Sequence, residues 1–244
     1  MRQFFRRSPP TIKSSNCYEV SAQMKTPAVN YRDFRFSKLN TPEFSHLKLL
    51  LGWVGYFTMF ILTEALIPPS RCTSIYCFLD DWIPFCEWFV IPYVLWYGLI
   101  AGSLLHFMLY HIAAFRNLSV YLIITQITAM AIYILLPSRQ ELRPETFPRE
   151  NLLTGIIGLL YRIDTNTNVC PSLHVAYSIG IASVWWKEKH LSLFFRCSIL
   201  IAAILICLST VFIKQHSVLD GLAAIPICIF AEWFVYGRKK RRRM

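Results

Sequence analysis

Long apolar runs alternate with short polar stretches along this chain, and most of the runs approach the ~20 residues a helix needs to cross a bilayer. The first run covers residues 47–67, where Pro68 and Pro69 stop it. The second covers 88–110 and the third 118–136, joined by a short linker that carries His111 and Arg116. A fourth starts at Pro171 and reaches Trp186, a fifth covers 191–213, and a sixth covers 219–236. Residues 152–161 are apolar but too few for a crossing, which suits a re-entrant or interfacial helix. Residues 70–88 read as a loop whose half-apolar piece, 78–84, lies in the interface. The pattern predicts an all-α integral membrane bundle of six transmembrane helices plus that one short helix.

Composition sharpens this picture. Of 244 residues, 55% are hydrophobic and 15% aromatic, and the mean hydropathy is +0.42, too apolar for an ordinary soluble domain of this size. The formal charge of +11 is concentrated in the tails. Residues 1–45 carry Arg2, Arg6, Arg7, Lys13, Lys25, Arg32, Arg35 and Lys38, lack a signal-peptide core, and read as a flexible basic tail. Residues 238–244 read as a polybasic tail, which leaves 46–237 as the membrane domain. Such tails suit anionic lipid headgroups rather than nucleic acid.

An even number of crossings puts both tails on one side, and Lys187 and Lys189 fall there too, so the tails are expected to be cytosolic. By the same count the segments holding Arg143, His174 and His216 meet on the opposite, non-cytosolic face. The eight cysteines show no metal-ligand spacing. Cys197, Cys207 and Cys228 read as core residues, while Cys72 and Cys77 share a loop where a short disulfide is an open alternative. Cys170 reads as structural, because a thiol phosphatase loop needs an arginine where Ala176 stands.

Two polar clusters stand at the mouths of apolar runs: 164–174, ending in Pro171-Ser172-Leu173-His174, and 214–220, with Lys214, His216 and Asp220. Ionisable groups at the edge of hydrocarbon are costly and are functional candidates by default. His216 and Asp220 are four apart, so a helix would place them on one face. A carboxylate on one ring nitrogen leaves the other free as base or nucleophile. Pro171 suits a helix start, whose free N–H groups attract anions. Histidines, a carboxylate, helix starts and arginines together point to chemistry on a phosphate.

These residues resemble the type 2 phosphatidic acid phosphatase superfamily. Its motifs are Lys, six residues, Arg-Pro; then Pro-Ser-Gly-His; then Ser-Arg, five residues, His, three residues, Asp. This chain has Arg143-Pro144, then Pro171-Ser-Leu-His174, then Ser209-Thr210 followed at the same spacing by His216 and Asp220. The resemblance covers roughly residues 130–225 by motif. It implies that His216 attacks phosphorus and becomes a phosphohistidine, that Asp220 orients it, and that His174 protonates the departing lipid oxygen. Ser172 and Arg143 would hold the phosphate oxygens, and the implied substrate is a membrane lipid phosphate, cleaved without metal or other cofactor. Each role also has a physical rationale in nucleophile activation, acid catalysis and charge stabilisation.

Three positions depart from the pattern: Leu136 replaces the first lysine, Leu173 the glycine, and Thr210 the arginine. Arg139 and Lys214 stand near enough in sequence to substitute for the missing cations. Similar losses occur in the branch of inositol phosphorylceramide and sphingomyelin synthases, and Pro-Ser-Leu-His looks like the former. A phosphodiester is a monoanion and needs fewer cations than a monoester, which moves weight toward headgroup transfer. Phosphatase-type hydrolysis stays the first expectation and phospho-headgroup transfer the alternative. A non-catalytic lipid-binding relative is a further alternative. A vanadate-binding haloperoxidase fits less well, because those enzymes are soluble and use the cations missing here. His46, His106, His111 and His190 are read as structural, and Trp82, Trp88, Trp185, Trp186 and Trp233 as interface belts.

Overall fold

A computed structural model describes residues 27–237. The first 26 residues of the expected basic tail and the polybasic run 238–244 lie outside the described residues. Among the described residues the chain is mainly helical: α1 (Leu51–Leu66), α2 (Leu79–Trp82), α3 (Val90–Tyr110), α4 (Ile112–Leu135), α5 (Leu152–Ile163), α6 (Leu173–Lys187), α7 (Leu193–Phe212) and α8 (Val218–Glu232). Five helical stretches among the described residues are long and apolar enough to cross a membrane: Ser45–Leu66, Glu87–Tyr110, Ile112–Leu135, Leu193–Phe212 and Val218–Gly237. Large apolar side chains point outward from them, as Val54, Ile61 and Leu66 do on α1 and Phe194 and Ile201 on α7. Such a surface suits hydrocarbon rather than water.

The helix expected over 171–186 is present but differs from these five. α6 has 15 residues, ~22 Å at 1.5 Å per residue, less than the ~30 Å hydrocarbon thickness. It packs against α3, α4, α7 and α8, and Tyr177, Ile181 and Val184 on it are buried. Gly180 allows the closest approach, because a Cβ there would collide with the Tyr121 ring of α4. The core around α6 includes Phe107, Phe115, Leu118, Tyr121 and Tyr133.

Several boundaries move. α4 begins at Ile112, so the expected linker with Arg116 is helix, and His111 alone separates α3 from α4. Residues 27–45 pack instead of trailing away: the Tyr31 hydroxyl donates to the Met108 carbonyl at 2.6 Å and meets the His46 ring at 2.9 Å, and Phe44 is fully buried. Trp185 is no interface residue; it is buried and its indole donates to Ser103 at 2.8 Å. Cys72 and Cys77 are free thiols.

At one end of the bundle three loops knit together. Thr73–Ser74 (β1) pairs in parallel with Ser138–Arg139 (β2). Asn168 N–H donates to the Ser138 carbonyl at 2.7 Å, and Gln140 N–H to the Asn166 carbonyl at 2.9 Å. α5 lies beside this end, started by a reciprocal cap between Asn151 and Thr154 and buried at Ile157 against Phe85, Phe89 and Phe147. Its other face leaves Leu152, Leu159 and Ile163 exposed.

Candidate active site

His216 owes its position to the way α7 stops and α8 starts. Lys214 adopts φ 55°, a left-handed conformation that turns the chain, and the N–H groups of Gln215 and His216 both donate to the Thr210 carbonyl, at 2.9 and 3.0 Å. Ser217 then caps α8: its hydroxyl accepts from Leu219 N–H at 3.2 Å, and its own N–H donates to Asp220 Oδ2 at 2.9 Å. This is a capping box, with Asp220 as its third helical residue. The same Oδ2 lies 3.1 Å from His216 Nδ1. The pair therefore forms, but His216 sits just before the helix and is not on a shared helical face.

His174 arrives from the first turn of α6, where Ser172 is the N-cap and its hydroxyl accepts from Val175 N–H at 3.4 Å. Ser172 N–H donates to the Asp220 carbonyl at 2.9 Å, which ties the starts of α6 and α8 together. The result places His174 Nδ1 3.3 Å from His216 Nε2. The His174 ring packs between Tyr93 and Trp96, with centroids 4.7 and 4.1 Å away, and its Nε2 has no hydrogen-bond partner among the described residues. Asp220, His216 and His174 thus form a continuous polar line. With the Asp220 carboxylate on Nδ1–H, His216 presents an Nε2 lone pair, the form required of a nucleophile or base. Cys170 is no rival, because burial, with Asp220 beside it, pushes its thiol up to about 12.

The cations proposed from sequence are placed close by but turned to other partners. Arg143 donates to the carbonyls of Tyr161, Asp164 and Thr165 at 3.0, 2.8 and 2.9 Å and also to the Gln215 side chain. It thereby caps the end of α5, stacked 4.5 Å from the Tyr161 ring. Burial lowers its pKa from the ordinary guanidinium value, while Asp164 and Tyr161 pull it back up. Lys214 donates to the carbonyls of Asp80 and Ile83 at 2.7 and 2.6 Å, and burial lowers its pKa against the pull of Asp80 and Asp81. Arg139 pairs with Glu141 at 2.9 Å. Arg143, His174 and His216 do meet at one end of the bundle, linked through Gln215.

Several residues outside the motifs also shape the site. Asp80 is buried, accepts from the Ser217 hydroxyl at 2.6 Å and from Val218 N–H at 2.8 Å, and so holds the start of α8. Glu64, an acidic residue inside the first apolar run, accepts from Thr165 and Thr167 at 2.6 and 2.9 Å and from Asn168, tying α1 to the loop before His174. Both carry a legible signal, a carboxylate within or beside hydrocarbon. Asp164 accepts from the Tyr93 hydroxyl at 3.3 Å; burial raises its pKa, and His216 and Arg143 pull it down.

A cavity of about 640 Å³ opens beside the two histidines. One end is polar, with Asp164, Thr165, Thr167, Asn168 and Gln215. The remainder is lined by aromatic and aliphatic groups, mostly of α1 and α3, among them Trp53, Phe60, Trp96 and Tyr97, with Tyr133 of α4 and Tyr177 of α6. A polar head and an apolar chain on one molecule would each find a matching surface. No family model, no curated protein and no solved structure matches this chain.

Proposed function

We propose that this chain is an integral membrane enzyme that cleaves or transfers a phosphate ester of a membrane lipid through a phosphohistidine on His216. The observation that carries this reading is the line of Asp220, His216 and His174 at the polar end of a largely apolar cavity. In the first step His216 Nε2 attacks phosphorus, the ester P–O bond breaks, and the leaving oxygen takes a proton from His174. In the second, water or an alcohol attacks phosphorus, the P–N bond to His216 breaks, and the proton of the attacking oxygen passes to His174, so both histidines are regenerated. With His174 Nδ1 3.3 Å from His216 Nε2 no phosphoryl group fits between the two nitrogens, and substrate entry must part them. The motif residues support placing the protein with the type 2 phosphatidic acid phosphatases.

The same reading makes α6 a sixth membrane-embedded helix, shielded from lipid by its neighbours, and sets α5 in the interface. Both termini are then cytosolic and the histidines face the non-cytosolic side, as the basic residues near Lys187 and in the tails favour.

Hydrolysis of a phosphomonoester is the first expectation from the sequence, but one observation favours headgroup transfer. Arg143 and Lys214 spend donors on carbonyls and Arg139 is paired with a carboxylate, which leaves few free donors for a dianion. A singly charged phosphodiester suits such a site better. The test is purified protein in nanodiscs with radiolabelled phosphatidate or a phosphodiester lipid, scoring free phosphate against new lipid. Transfer predicts a new lipid product and hydrolysis predicts phosphate. An acid-labile phosphoenzyme that persists in His216→Ala would refute the mechanism.

A further inference from the structure

Far from these histidines, at the other end of α6, lies a second group of imidazoles that the proposed reaction does not use. His111 is the single residue between α3 and α4, while Glu188 and His190 belong to the turn from α6 to α7. One potential ligand atom from each of the three lies within 4.8 Å of the others. His190 Nδ1 and Glu188 Oε2 are 3.4 Å apart. Tetrahedral zinc with bonds of about 2.0–2.2 Å places its ligands roughly 3.3–3.6 Å from one another, so this pair already has the required edge. The His111 and His190 rings lie 4.9 Å apart at 30°, and a bound ion would draw the three ligand atoms together from within 4.8 Å.

A second observation points to a ligand. His111 Nε2 is buried without a hydrogen-bond partner among the described residues, and so is Nε2 of the neighbouring His106, whose ring is 5.6 Å from that of His111. The nearby cation Lys187 is held by Glu232 at 2.5 Å.

We propose that His111, Glu188 and His190 form a site for a divalent transition metal, zinc above all, with a fourth position open. Two imidazoles and a carboxylate are a recurrent zinc ligand set. The ion would fasten the α3–α4 elbow to the α6–α7 turn.

Purified protein carrying no histidine tag, stripped with chelator, should take up one equivalent of Zn2+ in competition with a chromophoric chelator. Co2+ should give the visible absorption of a tetrahedral site. His111→Ala and His190→Ala should each weaken Zn2+ binding at least tenfold, the double variant should lose the Co2+ spectrum, and Lys189→Ala should change neither. Absence of a saturable equivalent in the wild type would overturn the proposal. So would its retention by a folded double variant, which would move the metal to cysteines. Glu188→Gln, isosteric and partly exposed, keeps the test decisive if a histidine variant does not fold: unchanged affinity there also overturns it.

Discussion

Lys214 Nζ lies 2.7 Å from the main-chain oxygen of Asp80, and the Asp80 carboxylate takes the Ser217 hydroxyl at 2.6 Å. The residues on either side of His216 are thereby pinned to the same short segment between α1 and α3. Both bonds from Lys214 Nζ go to main-chain carbonyls of that segment, those of Asp80 and Ile83. Lys214→Ala removes charge-assisted hydrogen bonds worth about 1.5–3 kcal/mol each when well formed. The variant should show a lowered Tm in detergent and a reduced kcat, with little change in KM between monoester and diester substrates. An unchanged Tm together with a selective loss of monoester activity would instead make Lys214 a phosphate ligand.

Asp80 should behave as a helix cap. Asp80→Ala removes the acceptor of Ser217 Oγ and Val218 N–H at the positive end of α8, and such losses cost about 0.5–2 kcal/mol. Asp80→Asn should recover part of the stability, because an amide oxygen still accepts. Thermal denaturation of both variants checks the order wild type, Asn, Ala.

Arg143 tests whether the bound carbonyls or a phosphate define its role. Lysine lacks the forked geometry that reaches Tyr161, Asp164, Thr165 and Gln215 together. Arg143→Lys is expected to lower Tm nearly as much as Arg143→Ala. Equal stability of Arg143→Lys and wild type, with activity lost, would assign the side chain to substrate instead.

The two histidines should separate by leaving group. His174→Ala should slow cleavage of an alkyl phosphate ester by roughly 10²–10⁴-fold, the usual value of a general acid. A nitrophenyl ester, whose leaving group needs no proton, should restore most of that loss. His216→Ala should be inactive toward both, and rate measurements on the pair of substrates decide it.

Asp164 makes a prediction about pH. Burial raises its folded-state pKa above its ordinary value of 3.8. Between those two values the folded protein keeps a proton that the unfolded chain has released, so stability falls as pH rises through the folded value. Asp164→Asn cannot ionise and still accepts from the Tyr93 hydroxyl. Its Tm should decline less than that of the wild type as pH is raised from the acid side through that interval, and parallel curves would contradict this.

The apolar runs by themselves determined a helical, membrane-suited chain, because a run of hydrocarbon side chains that long has few other stable solutions. The spacing of His216 and Asp220 was equally legible, since a four-residue separation brings them together whether through a helical face or, as found, a capping box. The short apolar stretch around Ile157 was legible as a lone helix for the same reason of length. What the cations do was decided only by tertiary structure. Whether Arg143 and Lys214 meet a phosphate or a carbonyl depends on which loop folds over them, and those partners lie up to 134 residues away in sequence. The same holds for Asp80 at the start of α8, for Trp185 in the core, and for His111 beside His190. Local pattern encodes which segments are helices; the direction of a long polar side chain is set by the nearest unsatisfied group, and only the folded chain brings that group near.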